Sequence, residues 1–200
     1  MHKITITNKR VPNCIDVTSH GLWQLSPFFI RTDQNIIFEN FWQFSKVYKC
    51  HLDSNGQPNK EWYKWRYDGF KKNKAVRYPM GKGAVPEYSY FRGKKYNYIE
   101  ARKFLYIPYY IGSVNIYSEH FIYLEKKYKE GNIVLFDYDG YDRQEMTLED
   151  VLNCETKKMG HAFVLEMILE YMYGIEPVPA IPSLCINGLR QKGFHFSSLK

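Results

Sequence analysis

The stretch SEHFIYLEKKYKEGNIVLFDYDG, Ser118 to Gly140, changes its hydrophobic period once, and that change decides the fold class. Up to Tyr128 the apolar residues recur three or four apart, as in an amphipathic helix, which Glu130-Gly131 closes. Ile133-Val-Leu-Phe136 is then an unbroken apolar run, read as a buried strand that delivers Asp137-Tyr-Asp139-Gly140 to a turn at its C-terminal end. Helix and strand alternate in the same manner outward from here. Ile4–Thr7 and Ile15–Thr18 alternate as short strands, with Pro12-Asn13 as a turn signal between them. A helix is expected from near Ile37, because Phe38, Phe41, Trp42, Ser45 and Tyr48 fall three or four apart, and a second carries Trp62 and Trp65. Asn97 starts a run in which Ile99, Arg102, Tyr106 and Tyr110 share a face, ended or kinked by Pro108. Thr147 is an N-cap with acidic residues behind it, and Gly160–Tyr173 reads as a buried helix. Tyr78–Pro86 holds too many Gly and Pro residues for regular structure and is expected to be a long surface loop. The expected fold is α+β, a helix-rich single domain around a small sheet over residues 1–176, with residues 177–200 as a tail packed on it.

A chain of 200 residues can bury a full core without staples, and Tyr 18, Phe 13 and Trp 4 are too many rings for a solvated, disordered segment. Cys14, Cys50, Cys154 and Cys185 form no C-x-x-C pair, and the six histidines show no ligand spacing, so no metal site is expected. The thiols read as reduced, the first ten residues lack a signal-peptide core and no eighteen apolar residues run together, so the expected location is cytoplasmic. Phosphate-loop, dinucleotide-binding and serine-hydrolase motifs are absent, and no cofactor is expected.

The net charge of +7 is unevenly spread. Residues 60–103 carry thirteen basic and four acidic side chains, residues 104–200 nine and thirteen. The basic segment interleaves rings with cations (Trp65, Tyr67, Lys71, Lys72, Lys74, Arg77, then Tyr90, Phe91, Arg92), a composition suited to phosphates and stacked bases. It equally suits a solvated face whose lysines cover ordinary core aromatics.

Three segments carry candidate chemistry. Glu39 lies among bulky apolar residues, where burial raises a carboxyl pKa and suits it to acid–base work, with Gln43 and Lys46 in one row behind it. Arg102 stands four residues from both Tyr98 and Tyr106, and it is either a phosphate clamp or a structural arginine packed between tyrosines. Asp137 and Asp139 follow a strand, where carboxylates face a cleft or simply form a turn.

The order of these segments resembles the NADAR N-glycosidase superfamily. Its aromatic S-N-F segment is similar to Ser26-Pro27-Phe28, and its helix E-H-Y-(Y/F)-Q-A-x-K-(F/Y) matches at Glu39, Gln43 and Lys46, with Asn40 at the position of the histidine. Gly131–Leu135 with Asp137 and Asp139, and Gly160–Leu165, stand where the family has its acidic strand and closing helix. The chain looks closest to an uncharacterised branch with D-V-T-S, here Asp16–Ser19, and Y-x-E-A-R-x-x-(I/L)-Y-x-P-x-Y, here Tyr98–Tyr110. The resemblance spans residues 14–170 and implies a NADAR-like domain that cleaves an N-glycosidic bond in a ribosyl-phosphate or ADP-ribosyl compound. On it, Glu39, Asp137 and Asp139 are the expected catalytic carboxylates, and Trp42, Gln43, Lys46, Arg77, Tyr98 and Arg102 the substrate-binding residues. The expected partners are a nucleotide or ADP-ribosyl substrate and nucleic acid through residues 60–103, with no membrane. The rival readings are a non-catalytic nucleotide- or nucleic-acid-binding protein and a base-modifying glycosyltransferase of viral, phage-like origin, the latter suggested by Lys-, Asn-, Tyr- and Ile-heavy usage.

Overall fold

The computed structural model describes residues 3–173 and Pro179; the expected tail otherwise lies outside the described residues. The chain is a mixed α+β domain with two three-stranded sheets rather than one. Strands β1 (Ile4–Thr7) and β2 (Ile15–Asp16) both run parallel to β6 (Ile133–Phe136), which lies between them. The register pairs Ile4 with Ile133 and Ile15 with Leu135, so all three strands end on the same edge. The Pro12-Asn13 turn, with Asn13 at φ 61°, therefore carries the chain across β6 and does not form a hairpin.

The second sheet has the antiparallel order β3 (Lys46–Val47), β4 (Tyr88–Phe91) and β5 (Lys94–Tyr96). A two-residue turn joins β4 to β5 with Arg92 at φ 49° and Gly93 at φ 80°, the left-handed pair that matches strand twist in a tight hairpin. The sequence reading took this segment for a ring-and-charge surface and missed the strands.

Helix α1 (Phe38–Phe44) is buried along its whole length and stops sooner than its periodicity predicts. Ser45, wholly buried, donates to the Phe41 carbonyl at 2.7 Å, and the next two residues leave the helix to pair with β4. Helix α2 (Lys60–Phe70) packs across α1 at Gly69, where a Cβ would sit 2.1 Å from the Phe44 ring. The Trp62 indole, fully buried, donates to the Lys46 carbonyl at 2.9 Å and ties α2 to β3.

Pro108 does not end the helical run. The chain passes from α3 (Tyr98–Ala101) through a π turn (Arg102–Tyr106) into α4 (Ile107–Ser113). Proline has no N–H to give to the carbonyl four residues back, and the wider turn is a known way to absorb that loss. Helices α5 (Glu119–Glu130, capped by Ser118), α6 (Leu148–Asn153, with a Thr147/Asp150 capping box) and α7 (His161–Tyr173) form as their caps and periodicity predict. One hydrophobic cluster runs from Ile4 to Leu169 and joins β1, β6, α1, α4, α5, α6 and α7. Among the described residues no helix is long and apolar enough to cross a membrane.

Candidate active site

The carboxyl ends of β2 and β6 open into a cleft of about 700 Å³. In parallel sheets this is the edge at which loops diverge and ligands bind. One wall is Thr18–His20 after β2, another is Asp137–Asp139 after β6, and a third is Glu39, Trp42 and Gln43 of α1. Lys158–His161 and the loop around Arg77–Tyr88 complete the rim.

Glu39 is 6 % exposed. Its Oε1 accepts from Gln43 Nε2 at 2.9 Å, and Gln43 Oε1 in turn accepts from Lys46 Nζ at 2.7 Å, so the amide relays between a carboxylate and an ammonium. Lys46 reaches this row from β3 rather than from the helix face on which periodicity placed it. No described group bonds Glu39 Oε2, which is left to the cleft. Burial raises the Glu39 carboxyl above its ordinary value against the opposing pull of Gln43, Lys46 and Arg77, with Asp139 adding to the rise. Burial also brings the Lys46 ammonium down to about 8, against the pull of Glu39. The Trp42 ring lies 5.1 Å from Lys46 Nζ and edge-on to Tyr106 at 5.0 Å.

The two aspartates part company. Asp139 points along the cleft wall, with Oδ2 2.7 Å from Arg77 and Oδ1 4.0 Å from Lys158, and its side chain is 31 % exposed. Asp137 is turned inward: Oδ2 lies 3.1 Å from His161 Nδ1 and accepts the Ala162 N–H at 3.1 Å, and Oδ1 accepts the Asp139 N–H at 3.3 Å. His161 Nε2 lies 2.8 Å from the Val17 carbonyl. Both ring nitrogens therefore face acceptors, which only the doubly protonated imidazolium satisfies. Burial works against charge on either partner, but their mutual attraction and the hydrogen bonds win: the Asp137 carboxyl is held at about 2, and the imidazole is raised above its ordinary value. Asp137, expected as a catalytic carboxylate, thus lines the cleft with both oxygens already engaged. Its carboxylate is an anchor that pins the end of β6 to the first turn of α7, and through His161 to the end of β2. Gly160 is required beside it, because a Cβ there would sit 2.2 Å from Asp137 Oδ2.

Arg102 is turned inward as well. Although it borders the cleft, it is 1 % exposed, and Nη1 donates to the carbonyls of Val151, Leu152 and Cys154 at 3.4, 3.3 and 2.7 Å. Nη2 donates to the Lys157 carbonyl and to the Tyr98 hydroxyl at 2.8 Å. The guanidinium closes off the end of α6 and the segment after it, with both terminal nitrogens engaged by the protein itself. Arg102→Ala is expected to lower stability by about 3 kcal/mol, as several buried carbonyls lose a charged donor, and Arg102→Lys, without the planar fork, to restore little of it. Thermal melts check this; a variant with unchanged melting temperature would return Arg102 to ligand binding. Tyr98, 42 % exposed, presents its ring at the cleft mouth with the Arg102 guanidinium 4.2 Å behind it.

Of the thirteen basic residues in 60–103, only Arg77 and Arg102 border the cleft. Lys71, Lys72 and Lys74 are exposed and stand outside it. Asn40, wholly buried, holds the segment that leads from them to Arg77: its Nδ2 donates to the carbonyls of Lys72 and Lys74 at 3.4 and 3.0 Å, and its Oδ1 accepts the Val76 N–H at 2.8 Å. Sequence reasoning set Tyr106 in the row with Arg102, and Lys158 and His161 downstream of the aspartate pair, but counted none of them, nor Asn40, among the site residues. A second polar residue directly beside Glu39 on a helix otherwise dominated by aromatic rings was the available signal for Asn40. Among the described residues no group of three or more His, Cys, Asp or Glu side chains is arranged to hold a metal ion. No protein-family model, curated protein or solved structure matches the chain, so the NADAR resemblance rests on its motifs and the site on its geometry.

Proposed function

We propose that the cleft hydrolyses the C1′–N bond of a ribosyl-phosphate or ADP-ribosyl compound, as an N-glycosidase of NADAR type. The observation that carries this reading is Glu39, a buried carboxyl raised above its ordinary value, with one oxygen bound to a Gln43–Lys46 relay and the other open to the cleft. Asp139 stands on the same cleft, held by Arg77. Two carboxyls in such different surroundings suit the two proton transfers of glycoside cleavage. Glu39 gives its proton to the departing nitrogen as the C1′–N bond breaks. Asp139 orients the water whose oxygen bonds to C1′ and receives the proton that water loses. The resulting sugar carries a C1′ hydroxyl, and the base leaves neutral. Trp42 and Tyr98 offer rings for the base, and Lys158, 69 % exposed at the rim, offers a cation for phosphate. The experiment is release of free base from N-ribosyl phosphates and ADP-ribosylated guanosine, followed by mass spectrometry, with Glu39→Gln as the comparison.

The non-catalytic reading has one observation of its own, the Asn40 clamp that fixes the Lys71–Lys74 run next to α1. If the chain binds nucleic acid along this run, affinity falls steeply with salt, and charge reversal at Lys71, Lys72 and Lys74 lowers the slope by about three. A slope that does not change with this triple reversal removes the Lys71–Lys74 run as a nucleic-acid interface.

A further inference from the structure

We infer that the Tyr106 hydroxyl is a substrate-contacting group on the cleft floor, holding an uncharged oxygen of the sugar at the bond to be cleaved. The inference rests on the hydrolytic reading of the same cleft and adds to it the orientation of the ligand.

Buried phenols normally find a partner. Two buried phenols here do so, Tyr110 donating to the Leu25 carbonyl at 2.6 Å and Tyr128 to Glu170 at 2.9 Å, while the Tyr141 hydroxyl is enclosed without one and away from the cleft. Tyr106 borders the cleft, is 7 % exposed, and its hydroxyl has no hydrogen-bond partner among the described residues. Its ring is nonetheless fixed, edge-on to Trp42 at 5.0 Å and to Phe38 at 5.2 Å, and stacked on Tyr110 at 6.3 Å. A rigid ring with an unused donor facing a cavity is arranged for a ligand rather than for the fold. Its backbone points the same way. Tyr106 is the last residue of the π turn, an irregularity found mostly at functional sites.

The surroundings say what the donor can meet. Burial and the nearby carboxyls of Glu39, Asp137 and Asp139 keep the phenol protonated far above neutral pH, so it donates and does not act as a base. The cations beside the floor are already engaged, His161 with Asp137 and Lys46 with Gln43, so the floor holds no free cation to draw a phosphate. The acceptor is therefore neutral, a ribose hydroxyl or ring oxygen. Phosphates belong at the rim, where Lys158 and Arg77 stand. The ligand thus enters sugar first, with its C1′ end beside Glu39.

The test is calorimetric titration of ADP-ribose, ribose 5-phosphate and ADP into wild type, Tyr106→Phe and Tyr110→Phe. ADP has the phosphates of ADP-ribose but not its terminal ribose. Wild type is expected to prefer ADP-ribose over ADP, and Tyr106→Phe to lose about 10-fold of that preference, one neutral hydrogen bond, with ADP affinity and melting temperature unchanged. Tyr110→Phe, which loses only the Leu25 bond, is expected to melt lower and keep the preference. If Tyr106→Phe keeps the full preference, or loses both ligands equally, the inference is wrong while hydrolysis by the cleft stands. If wild type binds neither ADP-ribose nor ribose 5-phosphate, the hydrolytic reading fails and takes the inference with it.

Discussion

Glu39→Gln is expected to lower kcat by about 10² to 10⁴-fold, the usual worth of a positioned acid or base, with little change in KM and no loss of stability. The substitution keeps the shape and the acceptor for Gln43 Nε2 while removing the proton that can be transferred. Stability is expected to improve at neutral pH. The Glu39 carboxyl is raised in the folded state, so its stabilising effect is fully present below the ordinary glutamate value of 4.5 and is lost as pH rises through the folded value. At pH 7 the wild type therefore carries a cost that the glutamine variant does not. Melting curves from pH 4 to 8 check this: the gap in favour of the variant should open as pH rises. A variant that loses stability along with activity would mean that Glu39 is a structural ion partner of Lys46 and nothing more.

Asp137→Ala is expected to be the most damaging single change to the fold, at about 3–5 kcal/mol, the cost of leaving a buried charge without its partner, or roughly 10 °C in melting temperature for a chain of this size. The His161 imidazolium would keep only the Val17 carbonyl, and the first turn of α7 would lose its acceptor at Ala162. The pH dependence has two edges. Asp137 is depressed to about 2, so its contribution is present above the ordinary 3.8 and lost as pH falls toward 2. His161 is raised, so its contribution is present below the ordinary 6.5 and lost as pH rises through its folded value. The difference between wild type and variant should thus be largest from about pH 4 to 6.5 and shrink on either side. Removing both charges in Asp137→Ala/His161→Leu should recover part of the loss, because the uncompensated charge is then gone. Equal or additive losses in the double variant would show that the pair does not act as an ion pair.

Helices α5 and α7 were legible because one apolar stripe, or an apolar run of helical length, settles an element without reference to its neighbours. The row Glu39, Gln43 and Lys46 was legible too, although Lys46 arrives by a different route: the helix ends at Phe44 and a strand carries the ammonium back to Gln43. The β4–β5 hairpin was missed because its lysines and tyrosines spoke for charge, while its turn signal, Arg92-Gly93, was short. Asp137 and Asp139 could not be told apart, since two residues of separation in a strand put both on one face. The chain turns at once after β6, with the Gly140 N–H on the Asp137 carbonyl at 2.9 Å, and so sends one carboxylate into the core and the other to the cleft. Arg102 was undecidable for a related reason: a helix face says which residues stand in a row, but not that the carbonyls of residues 151–157 lie opposite.

The cationic middle of the chain also reads differently in three dimensions. Its charge is not the wall of the cleft, where Lys46, Arg77 and Lys158 stand against Glu39, Glu87 and Asp139, while most of the run lies outside. A near-neutral cleft with a protonated floor and a cationic rim suits a ligand that is uncharged at one end and anionic at the other.

The most direct measurement is mass spectrometric detection of free base and C1′-hydroxyl sugar after incubation of the full chain with a panel of N-ribosyl phosphates and ADP-ribosylated guanosine, in parallel with Glu39→Gln. The account predicts release of both products from at least one compound by wild type, and at least 10²-fold slower release by the variant. No release from any of them, or the same rate from both proteins, would contradict it.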